Sequence, residues 1–212
     1  MKANSGTLAT LLVGVGAALG MSACERPPPE RPDFQFQLLA GDGSPIEEPT
    51  APGGWACIED LRTGLTWEAK SMEPGLHHRD NTYTWFSTDE AIHRNQPGVR
   101  DGGDCEGSRC DTEGFVEAVN DAGLCGYRDW RIADRVDFET IHDPTVPPPG
   151  PRAPTEHFPY MVDGEHWTTE TYRTYPQGAW AWNMRYGHDR VDGKDQAKPV
   201  RLVRGTLVLN EE

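Results

Sequence analysis

The spacing of apolar residues predicts three short helices, each beginning at a residue type that caps helices well. Residues 87–90, Ser-Thr-Asp-Glu, form a capping-box pattern, and the helix that they start should end before the Pro-Gly pair that follows. Asp111 or Thr112 caps the second helix, which carries one apolar stripe and ends at Gly123. Asp134 caps the third helix.

Short runs of β-branched and aromatic residues predict six strands. They are residues 56–59, 65–69, 82–86, 166–169, 180–186 and 200–204. The first two flank a turn at Thr63-Gly64 and are predicted to form a hairpin. Short strands and short helices mixed in this order predict an α+β fold, and we expect one compact domain over residues 53–212.

The N-terminal part of the chain has a different pattern. Lys2 precedes an apolar run at residues 8–19, which has the length of the apolar part of a signal peptide and is too short to span a membrane. The next segment, Met-Ser-Ala-Cys at residues 21–24, resembles a bacterial lipobox, in which lipid is attached to the Cys and cleavage occurs just before it. We therefore expect residues 1–23 to be a signal peptide and Cys24 to carry lipid. A plain secretory signal with a chance Cys is the alternative.

Residues 24–52 are predicted to be a tether between the lipid and the domain. Their many prolines disfavour helix and sheet and favour an extended chain. Residues 34–39 interrupt this composition and are either a short strand that docks on the domain or an apolar part of the linker. The resemblance to lipoproteins implies that Asp directly after the Cys retains a protein in the inner membrane. Glu25 stands there, so we expect an outer-membrane lipoprotein, on its periplasmic or its surface face.

The chain has five cysteines, an odd number, and a lipidated Cys24 leaves an even number for pairing. Outside the cytoplasm pairing is the default, and four cysteines allow three sets of disulfides. We favour Cys105 with Cys110 as a local clip and Cys57 with Cys125 as a long-range link. A zinc site is disfavoured because the chain has no CxxC pair.

Several motifs of the predicted domain resemble those of the Lcl C-terminal domain family, and they occur in the same order. The chain reads WACIEDLRTGLTWE at residues 55–68, NTYTW at 81–85, HWTTET at 166–171 and VRLVRG at 200–205. The most specific motif is GLCGYRDWR at residues 123–131. The resemblance covers about residues 55–205.

The family takes its name from a collagen-like bacterial adhesin, so the resemblance implies surface attachment and ligand binding. It also implies a fold related to C-type-lectin-like domains. One motif departs from the family, which usually has Leu-Pro-Thr after Asp-Trp-Arg where this chain has Ile132-Ala133-Asp134. Asp134 caps a helix as Thr does, so the expected fold is unchanged.

The formal charge of −14 limits the classes of partner. A nucleic-acid backbone is excluded as a partner because no basic segment runs along the chain. A sulfated glycan, which the family's adhesin suggests, would need a local cluster of arginines such as Arg185, Arg201 and Arg204. Neutral glycans and basic proteins fit the charge better.

An alternating aromatic segment is the first candidate ligand site. If residues 180–186 form one strand, Trp180, Trp182, Met184 and Tyr186 share a face. Trp180, Trp182, Tyr186 and Arg185 are the candidate ligand contacts of this segment. This face is either part of the core or a platform on which sugar rings stack.

A Gly-rich acidic loop is the second candidate site. Asp101, Asp104, Glu106 and Asp111 offer oxygen ligands that suit Ca²⁺, and a disulfide would hold the loop in place. A solvated acidic loop without metal is the alternative, and no other cofactor is expected. The His pair at residues 77–78 is predicted to lie in an exposed polar loop, since adjacent strand residues point to opposite faces.

Catalytic motifs do not occur in the sequence, which has no GxSxG, HExxH, Walker or GxGxxG segment. We therefore do not expect an enzyme. The sequence favours a lipid-anchored domain of the cell envelope that binds a glycan or protein ligand. A structural lipoprotein subunit of an envelope assembly and a hydrolase with a nonstandard site are the alternatives.

Overall fold

The structure is a computed structural model that describes residues 27–208 of the chain. The predicted signal peptide and Cys24 lie outside the described residues. Within residues 27–208, no helix has the length and apolar character that are needed to cross a membrane.

The described residues form eleven strands, three α-helices and one short 3-10 helix. In chain order they are β1 (Phe36–Leu39), β2 (Pro45–Ile46), β3 (Cys57–Asp60), β4 (Thr66–Glu68), β5 (Tyr83–Thr84), α1 (Glu90–His93), α2 (Thr112–Ala122), the 3-10 helix (Leu124–Gly126), β6 (Arg131–Ile132), α3 (Arg135–Thr140), β7 (Glu165–Thr171), β8 (Gly178–Asn183), β9 (His188–Gly193), β10 (Ala197–Lys198) and β11 (Leu202–Arg204). The predicted α+β class is therefore confirmed.

Three antiparallel sheets organise these strands. The largest has the order β2-β1-β3-β4-β11-β6, so the last strand of the described chain lies between early and middle strands. Strands β7, β8 and β9 form a meander, and β5 pairs with β10. The loops that follow α1, β7 and β9 meet at the candidate site.

Side-chain caps begin all three helices. Asp89, rather than Ser87, caps α1 by accepting the N–H of Ala91. Asp111 caps α2 by accepting the N–H of Gly114, and Gly123 ends that helix in a left-handed conformation at φ 71°. The cap of α3 is a capping box in which Asp134 and an acidic residue three positions later each accept the other's backbone N–H.

The meander β7–β9 lies between two apolar clusters and buries side chains from both of its faces. Trp167 of β7 and Ala181 of β8 pack into one cluster, together with Phe115 of α2. Trp182 of β8 packs into the other, together with Phe138 of α3. Successive strand residues point to opposite faces, so neighbouring residues of one strand enter different clusters.

Both expected disulfides are formed. Cys57 of β3 is bonded to Cys125, which follows α2, and Cys105 is bonded to Cys110 within one loop. The first bond links residues 68 apart in sequence. In the chain-entropy model, closure of a loop of that length stabilises the fold by about 4 kcal/mol.

The folded unit begins earlier than the proline content predicts. Strand β1 pairs with β2 on one side and with β3 on the other, and its Leu39 is buried. Phe36 packs edge-on against Phe158 at 5.6 Å between ring centroids. Of the two alternatives for residues 34–39, the docked strand is therefore correct, and a tether that extends to residue 52 is wrong. Pro45 is tolerated because β2 is an edge strand, where a missing N–H costs no ladder bond.

Candidate ligand-binding cleft

An open cleft of about 460 Å³ lies where three connections of the fold meet. Residues 96–99 follow α1, and residues 175–177 belong to the β7–β8 connection. Residues 193–195 comprise the last residue of β9 and the start of the turn to β10. We call this feature the three-loop cleft. A volume of this size falls within the range of about 300–1,000 Å³ that is typical of small-molecule sites.

Lys194 holds the three connections together from beneath. Its Nζ donates hydrogen bonds to the Gln96 carbonyl at 2.6 Å and to Thr171 Oγ1 at 2.9 Å, with the His93 carbonyl at 3.4 Å. His93 is the last residue of α1, and Gln96 lies in the loop that follows the helix, so the ammonium links the helix end to that loop. The ammonium also lies 3.8 Å from the centroid of the Trp85 ring, a cation–π contact.

Burial lowers the pKa of the Lys194 ammonium to about 8. Its three acceptors and the Trp85 ring all favour the charged form, so the group remains an ammonium at neutral pH. An ammonium has three N–H donors, and each of them is directed at an acceptor of the protein. Lys194 therefore fixes the shape of the cleft and has no donor left for a ligand.

Main-chain hydrogen bonds fix the same three loops. The N–H of Lys194 donates to the Gln177 carbonyl at 3.0 Å, and the N–H of Val99 donates to the Trp85 carbonyl at 3.1 Å. Gly98 has φ 90°, and a Cβ added there would lie 2.0 Å from the Trp85 carbonyl oxygen. The backbone path at this wall of the cleft therefore requires glycine.

The lining of the cleft combines an aromatic ring with neutral polar groups. The Tyr175 side chain is 57% exposed, and Val99 adds an apolar surface on the opposite loop. Gln96 and Gln177 offer amide donors and acceptors, and Asp195 offers carboxylate acceptors. In such a site an aromatic ring can stack on a flat face of a ligand, and the polar side chains can form hydrogen bonds with the ligand's hydroxyl groups.

The two tryptophans of the predicted aromatic platform do not form an open surface. Trp180 and Trp182 share one face of β8, but α3 covers that face. Trp182 is 4% exposed and stacks on Phe138, with 6.2 Å between ring centroids. The Arg135 guanidinium lies 4.3 Å from the Trp180 ring centroid and covers it in part. Trp182 is therefore a core residue, which agrees with the interpretation of this segment as part of the core and not with a sugar-stacking platform.

Tyr186 and Arg185 lie apart from these tryptophans. Strand β8 ends at Asn183, so both residues belong to the turn before β9 and the predicted strand of residues 180–186 is too long. Tyr186 is 50% exposed and stacks on His188, and Arg185 forms an ion pair with Asp163 at 2.7 Å. The structure does not bring the predicted set of Trp180, Trp182, Arg185 and Tyr186 to one surface.

The acidic loop uses its carboxylates for its own backbone. Asp111 is fully buried, caps α2 and accepts the N–H of Asp101 at 3.0 Å. The Asp101 carboxylate in turn accepts the N–H of Cys110 at 2.8 Å. Among the residues that the structure describes, no group of three or more His, Cys, Asp or Glu side chains is placed to hold a metal ion. Asp101 and Asp111 thus use their carboxylates for N–H groups of the loop itself, and the described structure does not place Asp101, Asp104, Glu106 and Asp111 together as the predicted calcium site.

The arginines proposed for a sulfated-glycan patch are already engaged. Arg201 is 1% exposed, Arg204 pairs with Asp129 at 2.8 Å, and Arg185 pairs with Asp163. This cluster therefore does not exist as a surface.

Three other arginines are exposed on the loops that lead into the cleft. They are Arg94, Arg100 and Arg173. Within residues 27–208 none of the three forms an ion pair, although most other arginines do. They do not line the cleft itself.

A buried ionic cluster lies away from the cleft and serves the fold. The Glu68 carboxylate accepts from Lys70 Nζ at 2.8 Å and from the Leu202 N–H at 3.1 Å, and it lies 2.8 Å from His77 Nδ1. Burial alone would raise the pKa of Glu68, but Lys70, His77 and Arg201 lower it to about 2. The predicted exposed polar loop at residues 77–78 is therefore wrong for His77, whose ring is bound to the core.

The three-loop cleft was not identified from the sequence. Residues 173–178, Arg-Thr-Tyr-Pro-Gln-Gly, have the composition of a turn and contain no binding motif. The residues of the cleft are distant in sequence, and only the pairing of β7–β9 and the contacts of Lys194 bring them together.

Comparison with known proteins agrees with the resemblance seen in the motifs. A family model described as the Lcl C-terminal domain matches residues 56–204. No curated protein and no solved structure gives a significant match. The likeness to C-type-lectin-like folds therefore stays a prediction for this chain. Since the family model covers more than half of the sequence and nearly all of the described sheets and helices, the chain belongs to the Lcl C-terminal domain family.

Proposed function

We propose that the chain is a lipid-anchored protein of the bacterial cell envelope whose domain binds a glycan or protein ligand. The observation that carries this proposal is the three-loop cleft, which exposes an aromatic ring and hydrogen-bonding side chains on a braced scaffold. Membership of a family named after an adhesin supports a role in binding. The domain is thus proposed to be a binding module and not an enzyme.

The arrangement of the ionisable groups supports binding rather than catalysis. Active sites place groups of shifted pKa where a substrate can reach them. Here Glu68 is buried and holds Lys70 and a backbone N–H of β11, and Lys194 has its donors occupied by the protein. These groups stabilise the fold, and the residues that face the cleft are side chains suited to contact with a ligand.

Lipid attachment at Cys24 would place the domain close to the membrane. Phe36 begins β1 twelve residues after Cys24, and an extended chain of that length spans at most about 40 Å. We propose the outer membrane as the location, on the basis of Glu25 after the lipidated Cys. The short connection favours ligands that lie near that membrane.

A binding screen tests the proposed function. The full chain, purified in mild detergent, is applied to a glycan array and is used to capture proteins from envelope extracts. We expect saturable binding to at least one class of glycan or to one defined protein. If both screens give no binding above that of an unrelated lipoprotein, the proposed function is wrong. Capture of the same fixed set of partners in fixed ratio, with no glycan bound, would favour a structural subunit.

A further inference from the structure

We propose that the three-loop cleft is a site for a neutral saccharide. This inference rests on the proposed binding function and names the ligand class and the residues that would contact it. The Tyr175 ring would stack on one face of a sugar ring, while Gln96, Gln177 and Asp195 would hydrogen-bond its hydroxyl groups.

The aromatic wall supports a ligand with one apolar face. Tyr175 is among the most exposed large apolar side chains of the described residues, and it lines the cleft. Val99 and Pro97 give the opposite wall an apolar surface as well. A pyranose ring presents C–H groups on its faces and hydroxyls at its edge, so it matches a stacking wall with polar groups beside it.

The polar side chains that line the cleft favour a neutral ligand over an anionic one. Gln96 and Gln177 are neutral, and each amide can donate and accept, as a hydroxyl does. Asp195 can only accept while it is ionised, and it would repel an anionic ligand. Lys194 offers no N–H donor to an anionic ligand, because its own N–H groups are directed at His93, Gln96 and Thr171.

The rigidity of the cleft reduces the entropy that binding would cost. The Gln96 carbonyl is held by the Lys194 ammonium, and the Gln177 carbonyl is held by the Lys194 backbone N–H. Two of the side chains proposed to contact the sugar therefore project from fixed backbone. A preformed site loses less freedom when it binds a ligand.

The flanking arginines define the competing ligand class. Arg94, Arg100 and Arg173 are exposed and without ion pairs within residues 27–208, so an acidic saccharide could bind beside the cleft instead of in it. The two modes differ in their response to salt. Screening by salt weakens contacts between exposed charges and leaves stacking and neutral hydrogen bonds nearly unchanged.

The test compares two exposed tyrosines in the full chain. Tyr175→Ala removes the stacking wall, and Tyr186→Ala is the matched control, since Tyr186 is similarly exposed but lies in the β8–β9 turn. Both variants and the wild type are applied to an array of neutral oligosaccharides and their sulfated or carboxylated counterparts, at about 0.05 M and about 0.5 M NaCl. Thermal unfolding confirms that both variants remain folded.

We expect the wild type to bind a neutral oligosaccharide with little salt dependence. Tyr175→Ala should weaken this binding by about tenfold, the effect of losing one aromatic stacking contact, and Tyr186→Ala should leave it unchanged. Neutral binding that survives Tyr175→Ala would overturn the site and leave the proposed function intact. Binding confined to acidic saccharides and abolished by salt would overturn the ligand class. Binding of a protein but of no saccharide would overturn this inference alone, and no binding of any kind would overturn the proposed function with it.

Discussion

At the scale of single residues, buried ionisable groups are the most sensitive part of the domain. His166 of β7 is 2% exposed, and burial together with nearby Arg201 lowers the pKa of its imidazole to about 3. The His166 ring therefore stays neutral in the folded chain at any pH well above 3. Its neutral state couples the stability of the fold to pH.

The first prediction concerns this coupling. As pH falls below the ordinary His pKa of about 6.5, the unfolded chain takes up a proton at His166 and the folded chain does not until about pH 3. Stability from this residue is therefore fully present above about pH 6.5 and is lost as pH falls. Between about pH 6.5 and pH 5 the free energy of unfolding should fall by about 2 kcal/mol from this group.

The variant His166→Gln should remove this pH dependence, whatever it costs in stability at neutral pH. Urea unfolding of the wild type and the variant at several pH values measures the difference in slope. His188→Gln is the control, because His188 is exposed. Equal slopes for the wild type and His166→Gln would show that the imidazole is not buried in its neutral form.

At the scale of elements, the position at which a strand ends determines which side chains are exposed. β8 stops at Asn183 because the Asn183 side chain accepts the N–H groups of Arg185 and Tyr186, at 3.1 and 3.2 Å. This hydrogen bonding makes a turn in place of a further strand pair. Tyr186 is thereby removed from the face of Trp182, and the predicted aromatic platform is divided.

Helix ends were predictable from the sequence because their signals are local. Asp111, Gly123 and Asp134 act within a few residues of their own position, and the structure uses each of them as expected. Strand β9 was not predictable, since His188–Gly193 is polar and has a single large apolar residue. Its pairing with β8 comes from tertiary contacts, and so does the cleft that the turn after β9 helps to form.

The second prediction concerns the N-terminal hairpin of β1 and β2. A shortened chain that begins at residue 53 lacks both strands and leaves the edge of β3 unpaired. We expect it to have a much lower melting temperature than a chain that begins at residue 31, and to aggregate, because an unpaired apolar strand edge associates with other chains. Differential scanning calorimetry of the two chains measures this. Equal melting temperatures would show that β1 and β2 do not stabilise the domain and would support a tether that extends to residue 52.

At the scale of the whole molecule, an acidic domain is joined to a short N-terminal segment. The charge of −14 repels polyanions in general, so we propose that recognition depends on local sites. Within the described residues, the three-loop cleft combines an exposed aromatic ring with neutral donors. The family relationship is to a domain named after an adhesin, and the proposals of ligand contact at the cleft and of a lipid anchor build on it.

The third prediction concerns that anchor. Mass spectrometry of the mature N-terminus should find Cys24 as the first residue, with a thioether-linked diacylglycerol and an N-acyl chain. Several acyl chains hold a protein at a membrane durably, so Cys24→Ser should move the chain out of the membrane fraction. A Cys24→Ser protein that remains in the membrane fraction would contradict lipid anchoring while leaving the binding domain unaffected.

The central claim is that the domain binds its ligand in the three-loop cleft, and chemical-shift mapping tests it most directly. The full chain, labelled with ¹⁵N, is titrated in detergent with the neutral oligosaccharide that gives the strongest array signal. We expect backbone shifts to concentrate at residues 94–99, 173–177 and 193–196, with the β8–β9 turn unaffected. Shifts confined to that turn or to other surfaces, or no shifts at saturating saccharide, would contradict the claim.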